Sequence, residues 1–149
     1  MPVAGLRRLF PFFNNLENEE IERFLSCCRR VRAEAGTVLW QEGETDNFTA
    51  FILSGKLGIK KRTEFGGGQV VVGLYGPGSI AGELCLLTRN PRTVSAELIE
   101  TADLLLLHSG KFEEMLCHYP QLGLALLRHM FLTTARRLSK SYERIASIF

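Results

Sequence analysis

The chain has 149 residues, of which 46% are hydrophobic and 23% charged, and 18 basic and 16 acidic residues leave a net charge of +2. This composition is typical of one globular domain with a sizeable core and excludes a disordered chain or a histone-like coat for polyanions. The apolar runs are too short to span a membrane, and the first residues do not resemble a secretory signal. The four cysteines have neither CxxC nor disulfide-framework spacing, so we expect a cytoplasmic protein with reduced thiols.

The first zone of the chain, residues 1–35, is predicted to be helical. A short apolar turn is broken at Pro11, because proline lacks the backbone N–H that a helix needs. Residues 15–20 then resemble a helix start, with a polar cap and acidic side chains in the first turn. The apolar stripe that follows has helical spacing and consists of Ile21, Phe24, Leu25 and Cys28.

The second zone, residues 36–109, is predicted to be mainly β-strand. Short apolar or β-branched segments alternate there with glycine-rich turns, and no run of 10–15 residues between them has helical periodicity. This pattern favours a mainly β fold with flanking helices, namely an antiparallel β-barrel of the jelly-roll or double-stranded β-helix type, and excludes a doubly wound parallel sheet. The predicted strands cover residues 48–53, 57–59, 69–72, 93–99 and 104–107.

The third zone, residues 110–149, returns to helix within the same single domain. We expect one helix over 110–118, ended at Tyr119-Pro120, and a long helix over 121–148. The apolar positions of the long helix recur at steps of three and four, which is typical either of packing on the barrel or of dimerisation. These positions are Leu127, Met130, Phe131, Thr134, Leu138, Ser141, Ile145 and Ile148.

The same long helix concentrates the positive charge of the chain. Residues 120–149 carry five basic residues and one acidic residue, whereas residues 36–119 carry seven basic and ten acidic residues. A basic helix of this kind is either a solvated face or a surface for nucleic acid or an acidic partner.

Signatures of catalysis are missing from the sequence. The three histidines, His108, His118 and His129, do not have the spacing of metal ligands. Ser79 does not lie in a nucleophile elbow, and the chain has no phosphate-binding P-loop. We therefore expect neither an enzyme nor a metal site.

One segment has residues suited to binding a phosphate. A helical turn near Gly82 would point free backbone N–H groups outward, and Arg92 follows ten residues later at the start of a strand. A guanidinium facing a helix N-terminus suits a phosphate, while the adjacent Glu83 suits sugar hydroxyls. An alternative is an ordinary ion pair between Glu83 and Arg92 that braces the loop.

This segment resembles the phosphate-binding cassette of cyclic nucleotide-binding domains. The likeness lies in Gly-Glu-Leu-Cys-Leu-Leu at 82–87 followed by Pro-Arg-Thr-Val-Ser at 91–95. The glycine-containing stretches at 36–44 and 51–57, and the Gly-Pro-Gly turn at 76–78, are similar to the framework of the same family. The likeness covers nearly the whole chain, with the cassette at residues 82–95.

The resemblance implies a role for each cassette residue. Arg92 would clamp the cyclic phosphate, assisted by the backbone N–H groups of Cys85 and Leu86 and by the Thr93 hydroxyl. Leu84 and Val94 lie in the same cassette and are expected beside the ligand.

The ribose and the base would be contacted from three further places. Glu83, with Gly82 beside it, would accept the ribose 2′-hydroxyl, and Ile59 and Val72 would contact the nucleotide from the strands. The stretch Ala-Arg-Arg-Leu at 135–138 is similar to the long helix of the bacterial catabolite activators. That likeness places Ser141 and Tyr142 near the base.

Two departures from the family pattern bear on binding. Ala81 stands where an aromatic residue is usual, and the branched Val94 stands where alanine is usual. The first would loosen the cassette and the second would crowd the phosphate.

Together these features predict a free-standing regulatory module that binds cAMP or cGMP and signals by repositioning its last helix. The chain ends at Phe149, where transcription factors of the family continue into a helix-turn-helix domain, so we expect no direct DNA binding and no membrane partner. A homodimer through the last helix and an effector protein are the expected partners, and no cofactor is expected beyond the nucleotide ligand. The alternative is a degenerate member that serves as a dimerisation or protein-interaction module without nucleotide.

Overall fold

The computed structural model describes residues 3–149 and begins with three short helical segments. Helix α1 spans Val3–Leu9, a 3₁₀ helix spans Pro11–Asn15, and α2 spans Asn18–Cys27. The N-terminus of α2 has a capping box in which the side chains of Glu17 and Glu20 each accept a backbone N–H of the other residue. The predicted break at Pro11 and the predicted helix with its acidic first turn are confirmed.

The central part of the chain forms six strands. Their bounds are Arg29–Ala33 for β1, Val38–Trp40 for β2, Phe48–Arg62 for β3, Gln69–Tyr75 for β4, Ile80–Ala81 for β5 and Ser95–His108 for β6.

All strand pairs are antiparallel, in the order β1-β6-β3-β4, with β2 paired to β6 and β5 paired to β3. The mainly β fold with flanking helices is confirmed. The sheet is not closed, however, so the predicted barrel is better described as an open, folded antiparallel sheet. Within residues 3–149, strand β4 pairs only with β3 and forms one edge of the sheet, which leaves it free to face the C-terminal helix.

Strands β3, β4 and β6 are longer than the sequence pattern predicted, and β4 continues to Tyr75 instead of ending at residue 72. Segments 48–53 and 57–59 are one strand, β3, since Ser54-Gly55 forms a bulge with shifted register instead of a turn. Gly55 has φ +88°, and a Cβ there would clash with the backbone of the neighbouring β6. Residues 95–108 likewise form the single strand β6.

Strand β1 lies where the sequence predicted helix. Its sequence, Arg-Arg-Val-Arg-Ala, has no run of alternating apolar residues, so the signal for a strand is weak. Pairing with the leucine-rich end of β6 determines its conformation: Arg30 lies opposite Leu105 and Val31 opposite Leu104.

The C-terminal helices follow β6 directly. Helix α3 spans Ser109–His118, and α4 spans Pro120–Ala146, close to the two predicted helices. Leu122, Leu126 and Met130 anchor the first half of α4 in the core, whereas every later residue of the helix is half-buried or exposed. The second half of α4 therefore extends along the rim of the sheet, beside β4.

Two hydrophobic clusters lie on opposite sides of the central strands. Leu105 and Leu107 pack with the helices, while Leu104 and Leu106 pack with the cluster enclosed by the sheet. Successive side chains of a strand point to opposite faces, so the run of four leucines serves both clusters.

Among residues 3–149 no helix is long and apolar enough to cross a membrane.

Candidate functional site

The cassette loop begins with Gly82 and a short 3₁₀ helix, Glu83–Leu86. Gly82 has φ +76°, and a Cβ there would clash with Nη1 of Arg92 and lie 2.9 Å from the ring of Trp40. Only glycine fits this position without strain, and the predicted helical turn is present.

Arg92 is the most enclosed charged residue of the loop, with 7% of its surface exposed. Its Nε pairs with the carboxylate of Asp46, Nη1 donates to the carbonyl of Gly82 at 3.3 Å, and Nη2 donates to the carbonyl of Phe48 at 2.5 Å. The guanidinium is thus bound on three sides by the protein itself, which compensates for its burial.

Two aromatic rings complete the surroundings of Arg92. Its guanidinium carbon lies 3.9 Å from the centre of the Trp40 ring and 5.2 Å from that of Phe48. Contacts of this kind stabilise a desolvated guanidinium. The Trp40 Nε1–H is itself buried and has no hydrogen-bond partner among residues 3–149.

Cys85 lies beneath the loop as a buried thiol. Its Sγ lies 2.9 Å from the carbonyl oxygens of Phe48 and Gly82 and 3.8 Å from the Thr49 hydroxyl. Burial raises the pKa of the Cys85 thiol, although the positive charge of Arg92 opposes the shift. The neutral thiol therefore links the 3₁₀ helix to β3.

Glu83 makes its contacts with α4. Its Oε1 accepts hydrogen bonds from the Thr134 hydroxyl at 3.0 Å and from Nη1 of Arg137 at 3.2 Å. The alternative ion pair between Glu83 and Arg92 is not formed, because each residue pairs with another partner. The carboxylate expected to bind a ribose hydroxyl is instead bound to the C-terminal helix.

Arg137 holds α4 against the sheet through three different groups. Besides Glu83, its Nη2 donates to the carbonyl of Ile80 at 2.6 Å, and its guanidinium lies 4.1 Å from the centre of the Tyr75 ring. Its own carbonyl accepts the Ser141 hydroxyl at 3.1 Å. We refer to the contacts of Arg137 and Thr134 with Glu83 as the latch.

The cassette encloses only a small cavity, of about 60 Å³. Ligand pockets commonly measure roughly 300–1,000 Å³, so the loop is closed around its own side chains. Six of the predicted site residues line this cavity: Gly82, Leu84, Cys85, Arg92, Thr93 and Val94.

A second, larger cavity of about 640 Å³ lies between β4 and α4. It is lined by the predicted residues Val72 and Ser141, together with Arg136, Lys140 and Arg144. We refer to this cavity as the basic cleft. Arg137 of the latch also lines the basic cleft, whereas Glu83, Leu84 and Thr134 line a third cavity of about 450 Å³. The predicted nucleotide contacts are thus divided among three cavities.

The remaining predicted residues are more scattered. Ile59 is 6% exposed and belongs to the core of the sheet, Leu86 belongs to the core beneath the helices, and Tyr142 is 60% exposed outside both cavities. Val94 packs partly against the sheet core. Ala81 is buried in β5 opposite Ala50, so the first departure from the family pattern lies in a closely packed place.

Several residues of the site were not predicted from the sequence. Asp46, Trp40 and Thr134 had no motif to mark them, although Trp40 lies in the glycine-containing stretch that carries the resemblance. Arg137 lies in the Ala-Arg-Arg-Leu stretch, so a signal was present but had no role attached to it. Across residues 3–149, no three His, Cys, Asp or Glu side chains are grouped to hold a metal ion.

Comparison with known proteins identifies the fold. The sequence profile of the cyclic nucleotide-binding domain matches residues 30–119. This range includes the cassette with Glu83 and Arg92. The chain belongs to the cyclic nucleotide-binding domain family. The predicted family is therefore confirmed.

Relatives with known names share this domain within longer chains. The cyclic AMP receptor protein of Thermus thermophilus is 30% identical over 110 residues, which cover 74% of this chain and 50% of that protein. The neuropathy target esterase sws of Drosophila melanogaster is 28% identical over 111 residues, which cover 72% of this chain and 8% of the esterase. The chain thus spans half or less of these relatives.

Solved structures agree with the family assignment. The catabolite activator protein of Thermus thermophilus superposes with a TM-score of 0.76 at 27% identity, covering 93% of this chain and 62% of that one. A cyclic nucleotide-binding domain from Methylobacillus flagellatus superposes with a TM-score of 0.84 at 25% identity, covering 92% and 76%. The likeness includes the flanking helices as well as the sheet.

Proposed function

We propose that this domain is a regulatory module that binds a cyclic nucleotide, cAMP or cGMP, in the cassette and signals by moving α4. The observation that carries the proposal is the latch: the carboxylate expected to receive the ribose is held by two side chains of the helix that would move. A ligand at Glu83 would therefore compete directly with α4.

The competition couples binding to conformation. A ribose hydroxyl that donates to Oε1 of Glu83 replaces Thr134 or Arg137, and an Arg137 released in this way no longer holds α4 against Glu83. A ligand shifts such an equilibrium only by its difference in affinity for the two states. Here the difference arises because Oε1 of Glu83 already accepts two hydrogen bonds from α4 in the latched state.

The phosphate end requires a similar exchange. Arg92 is enclosed by Asp46 and two carbonyls, so a cyclic phosphate would take over some of these contacts as the loop opens. The unpaired Nε1–H of Trp40 adds a further donor beside the cassette cavity. A buried donor without an acceptor costs about 1–3 kcal/mol, and an incoming oxygen could relieve that cost.

The other cassette residues complete the ligand contacts in this proposal. The backbone N–H groups of Cys85 and Leu86 and the exposed hydroxyl of Thr93 assist the phosphate, and Gly82 keeps the loop clear of it. The β-strand residues and α4 then enclose the base, with Ile59 and Val72 on one side and Ser141 and Tyr142 on the other.

A second copy of the chain is the partner best suited to the outer face of α4. Positions seven residues apart on this helix are apolar and more than half exposed: Leu124, Phe131, Leu138 and Ile145. A seven-residue apolar repeat is typical of a two-helix seam. We propose a homodimer through this seam and an effector protein whose binding depends on the position of α4. In sedimentation equilibrium, the parent chain should be a dimer and the Phe131→Glu variant a monomer.

The supporting relatives point to regulation instead of catalysis. A regulatory domain of Toxoplasma gondii protein kinase A, solved with cAMP, superposes with a TM-score of 0.65 at 28% identity over 74% of this chain. The esterase likeness covers too little of that enzyme to bring its activity to this chain.

Calorimetric titration with cAMP and with cGMP tests the proposal. We expect binding of at least one nucleotide, weakened about 30-fold or more by Arg92→Ala, because a desolvated charge-assisted contact contributes about 2–5 kcal/mol. Thr93 is exposed, so Thr93→Val keeps the fold and should weaken binding roughly fivefold.

The matched control is Glu113→Gln, an exposed residue of α3 far in sequence from the cassette, which should bind like the parent chain. Absence of heat with both nucleotides at millimolar concentration would contradict the proposal.

One observation favours a second candidate function, a degenerate domain that mediates protein contacts without nucleotide. Arg92 already has all its nitrogen atoms engaged, and the cavity of about 60 Å³ includes the branched Val94. Under this alternative the thermal midpoint would be equal with and without nucleotide, while the dimer would persist.

A further inference from the structure

The basic cleft has a charge that the cyclic nucleotide proposal does not use. Four cations of α4 line it: Arg136, Arg137, Lys140 and Arg144. A cyclic mononucleotide carries one negative charge, and the proposal above places that charge at Arg92, which lines the cassette cavity and not the basic cleft.

Three of these cations have no acidic partner. Among the ion pairs within 4.0 Å in the described part of the chain, Arg137 pairs with Glu83, whereas Arg136, Lys140 and Arg144 take part in none. Glu143 is the single acidic residue of α4 and forms no such pair with them. The inner face of the helix therefore carries uncompensated positive charge.

The spacing of the three cations makes a row. Arg136, Lys140 and Arg144 follow one another at intervals of four residues, so they lie on one face of the helix over about 12 Å. One phosphate group reaches only part of such a row. Two or more phosphate groups match it, and the arginine forks suit phosphate oxygens in particular.

The opposite wall of the cleft is of a different kind. Val71, Val72 and Leu74 of the edge strand β4 line it and are about half exposed, and the Tyr75 ring lies at its inner end. An apolar wall facing a cationic wall fits a ligand with a flat heterocycle at one end and several charges at the other. The volume of about 640 Å³ is large enough for a nucleotide.

We propose that the basic cleft is a ligand site for a nucleotide that bears two or more phosphate groups. The phosphates contact Arg136, Lys140 and Arg144, and the base lies against β4. The site does not need Arg92 or Glu83. It shares Val72 and Ser141 with the position proposed for the base of a cyclic nucleotide, so the two ligands would compete for that end of the cleft.

A duplex nucleic acid would use the same charges differently. It would need a protruding basic surface, whereas these cations face β4 across a cleft of limited volume. A small anionic ligand is therefore the occupant that the shape favours, and nucleic acid is one outcome of the test.

The test uses ATP without magnesium as the probe, titrated into the full chain at low salt, about 50 mM, where screening is weak. The cleft variant is Arg136→Gln with Lys140→Gln and Arg144→Gln, all at exposed positions. The charge-matched control is Arg8→Gln with Arg29→Gln and Arg128→Gln, which are exposed, unpaired within 4.0 Å among the described residues, and outside the cleft.

We expect ATP to bind the parent chain and the control with affinities within about twofold of each other, and the cleft variant to bind on the order of 30-fold more weakly. Inorganic tripolyphosphate should compete with ATP but bind more weakly, since it lacks the base. Equal losses in the cleft variant and the control, or no binding of ATP at millimolar concentration, would overturn the proposal.

Two further binding experiments distinguish this proposal from a nucleic-acid surface and from the cassette proposal. A DNA duplex that binds the parent chain and is not displaced by ATP would overturn it in favour of a nucleic-acid surface. A parent chain that binds ATP with loss in the cleft variant but ignores cAMP and cGMP supports the cleft and contradicts the cassette proposal; binding of cyclic nucleotide without ATP does the reverse.

Discussion

Two arginines of the site differ in how firmly the fold holds them. Arg92 is almost fully buried, with its three nitrogen atoms bound to Asp46 and to backbone carbonyls and its guanidinium beneath Trp40. Arg137 lies at the rim, with 27% of its side chain exposed, and one of its partners is the side chain of Glu83 on a surface loop. The first arginine is part of the core of the domain, and the second is a contact that can be exchanged.

This difference indicates which arginine contact a ligand can replace at the lower cost in free energy. Separating a buried charge from its partner costs several kcal/mol, whereas partly exposed pairs contribute about 1 kcal/mol or less. A conformational change therefore begins more easily at the latch than at Arg92. In the mechanism proposed above, the contacts of Arg92 are therefore the more costly ones to exchange, and movement of α4 begins at the latch.

The largest expected loss of stability comes from a substitution at Gly82, which lies against the buried Arg92. Gly82→Ala places a Cβ against Arg92 and Trp40 in a left-handed conformation, so it should lower the free energy of unfolding by about 3 kcal/mol. Urea unfolding measures this loss. Gly110→Ala is the control, because nothing lies within 4 Å of its Cβ position in α3, and its effect should stay within about 1 kcal/mol. Similar unfolding curves for the two variants would mean that the cassette is looser than the contacts imply.

Two substitutions with smaller expected losses of stability compare the carboxylate partners of Arg92 and Arg137 directly. Asp46→Asn leaves Arg92 buried without its carboxylate and should cost about 2 kcal/mol, while Glu83→Gln weakens the latch and should cost about 1 kcal/mol or less. Unfolding midpoints in urea give the order of the two. Asp103→Asn, which loses surface pairs with exposed Arg30 and Arg32, should resemble Glu83→Gln. A cost for Glu83→Gln above that for Asp46→Asn would reverse the contrast.

The smallest expected effect is a pH dependence of the free energy of unfolding, which arises at His129 of α4. His129 stacks on Phe12 of the first 3₁₀ helix, with ring centres 4.4 Å apart. Burial lowers the pKa of His129, with further lowering by Arg136 and Arg137. The unfolded chain therefore takes up the proton first, and the free energy of unfolding should fall as the pH drops through about 6.5.

The variant His129→Gln tests this dependence by thermal unfolding at several pH values. It should flatten the fall in stability between about pH 7 and pH 5. A slope unchanged by His129→Gln would place the proton uptake elsewhere.

The sequence predicted which segments form the long helices and strands better than it predicted which segments contact each other. Alternation and glycine turns located the apolar parts of β3, β4 and β6, and the steps of three and four located α4, since these periodicities follow from local geometry. Strands β1, β2 and β5 were missed. The arginines of β1 are exposed and its conformation depends on pairing with β6, while β2 and β5 have only 3 and 2 residues, too few for a periodic pattern. Gly55 was interpreted as a turn, since a glycine with positive φ serves a bulge as readily as a turn.

The candidate site shows the same limit. The cassette motif located Glu83 and Arg92, but the groups that they contact lie 54 and 46 positions away, at Arg137 and Asp46. Local patterns contain no information on such pairs, because the folded sheet and the docking of α4 bring them together. The closed state of the cassette could not be predicted for this reason.

The most direct test of the central claim, that a cyclic nucleotide moves α4, is a distance measurement between spin labels. The labels are placed at exposed positions of the cassette loop and of α4, Asn90→Cys and Ser139→Cys, in a chain with Cys27→Ser, Cys28→Ser and Cys117→Ser, which leaves only the buried Cys85. We predict that saturating cAMP or cGMP shifts the distance by a few ångströms, on the order of known helix movements, and that Glu83→Gln shifts it partly without ligand. A nucleotide that binds while the distance stays unchanged would contradict the claim.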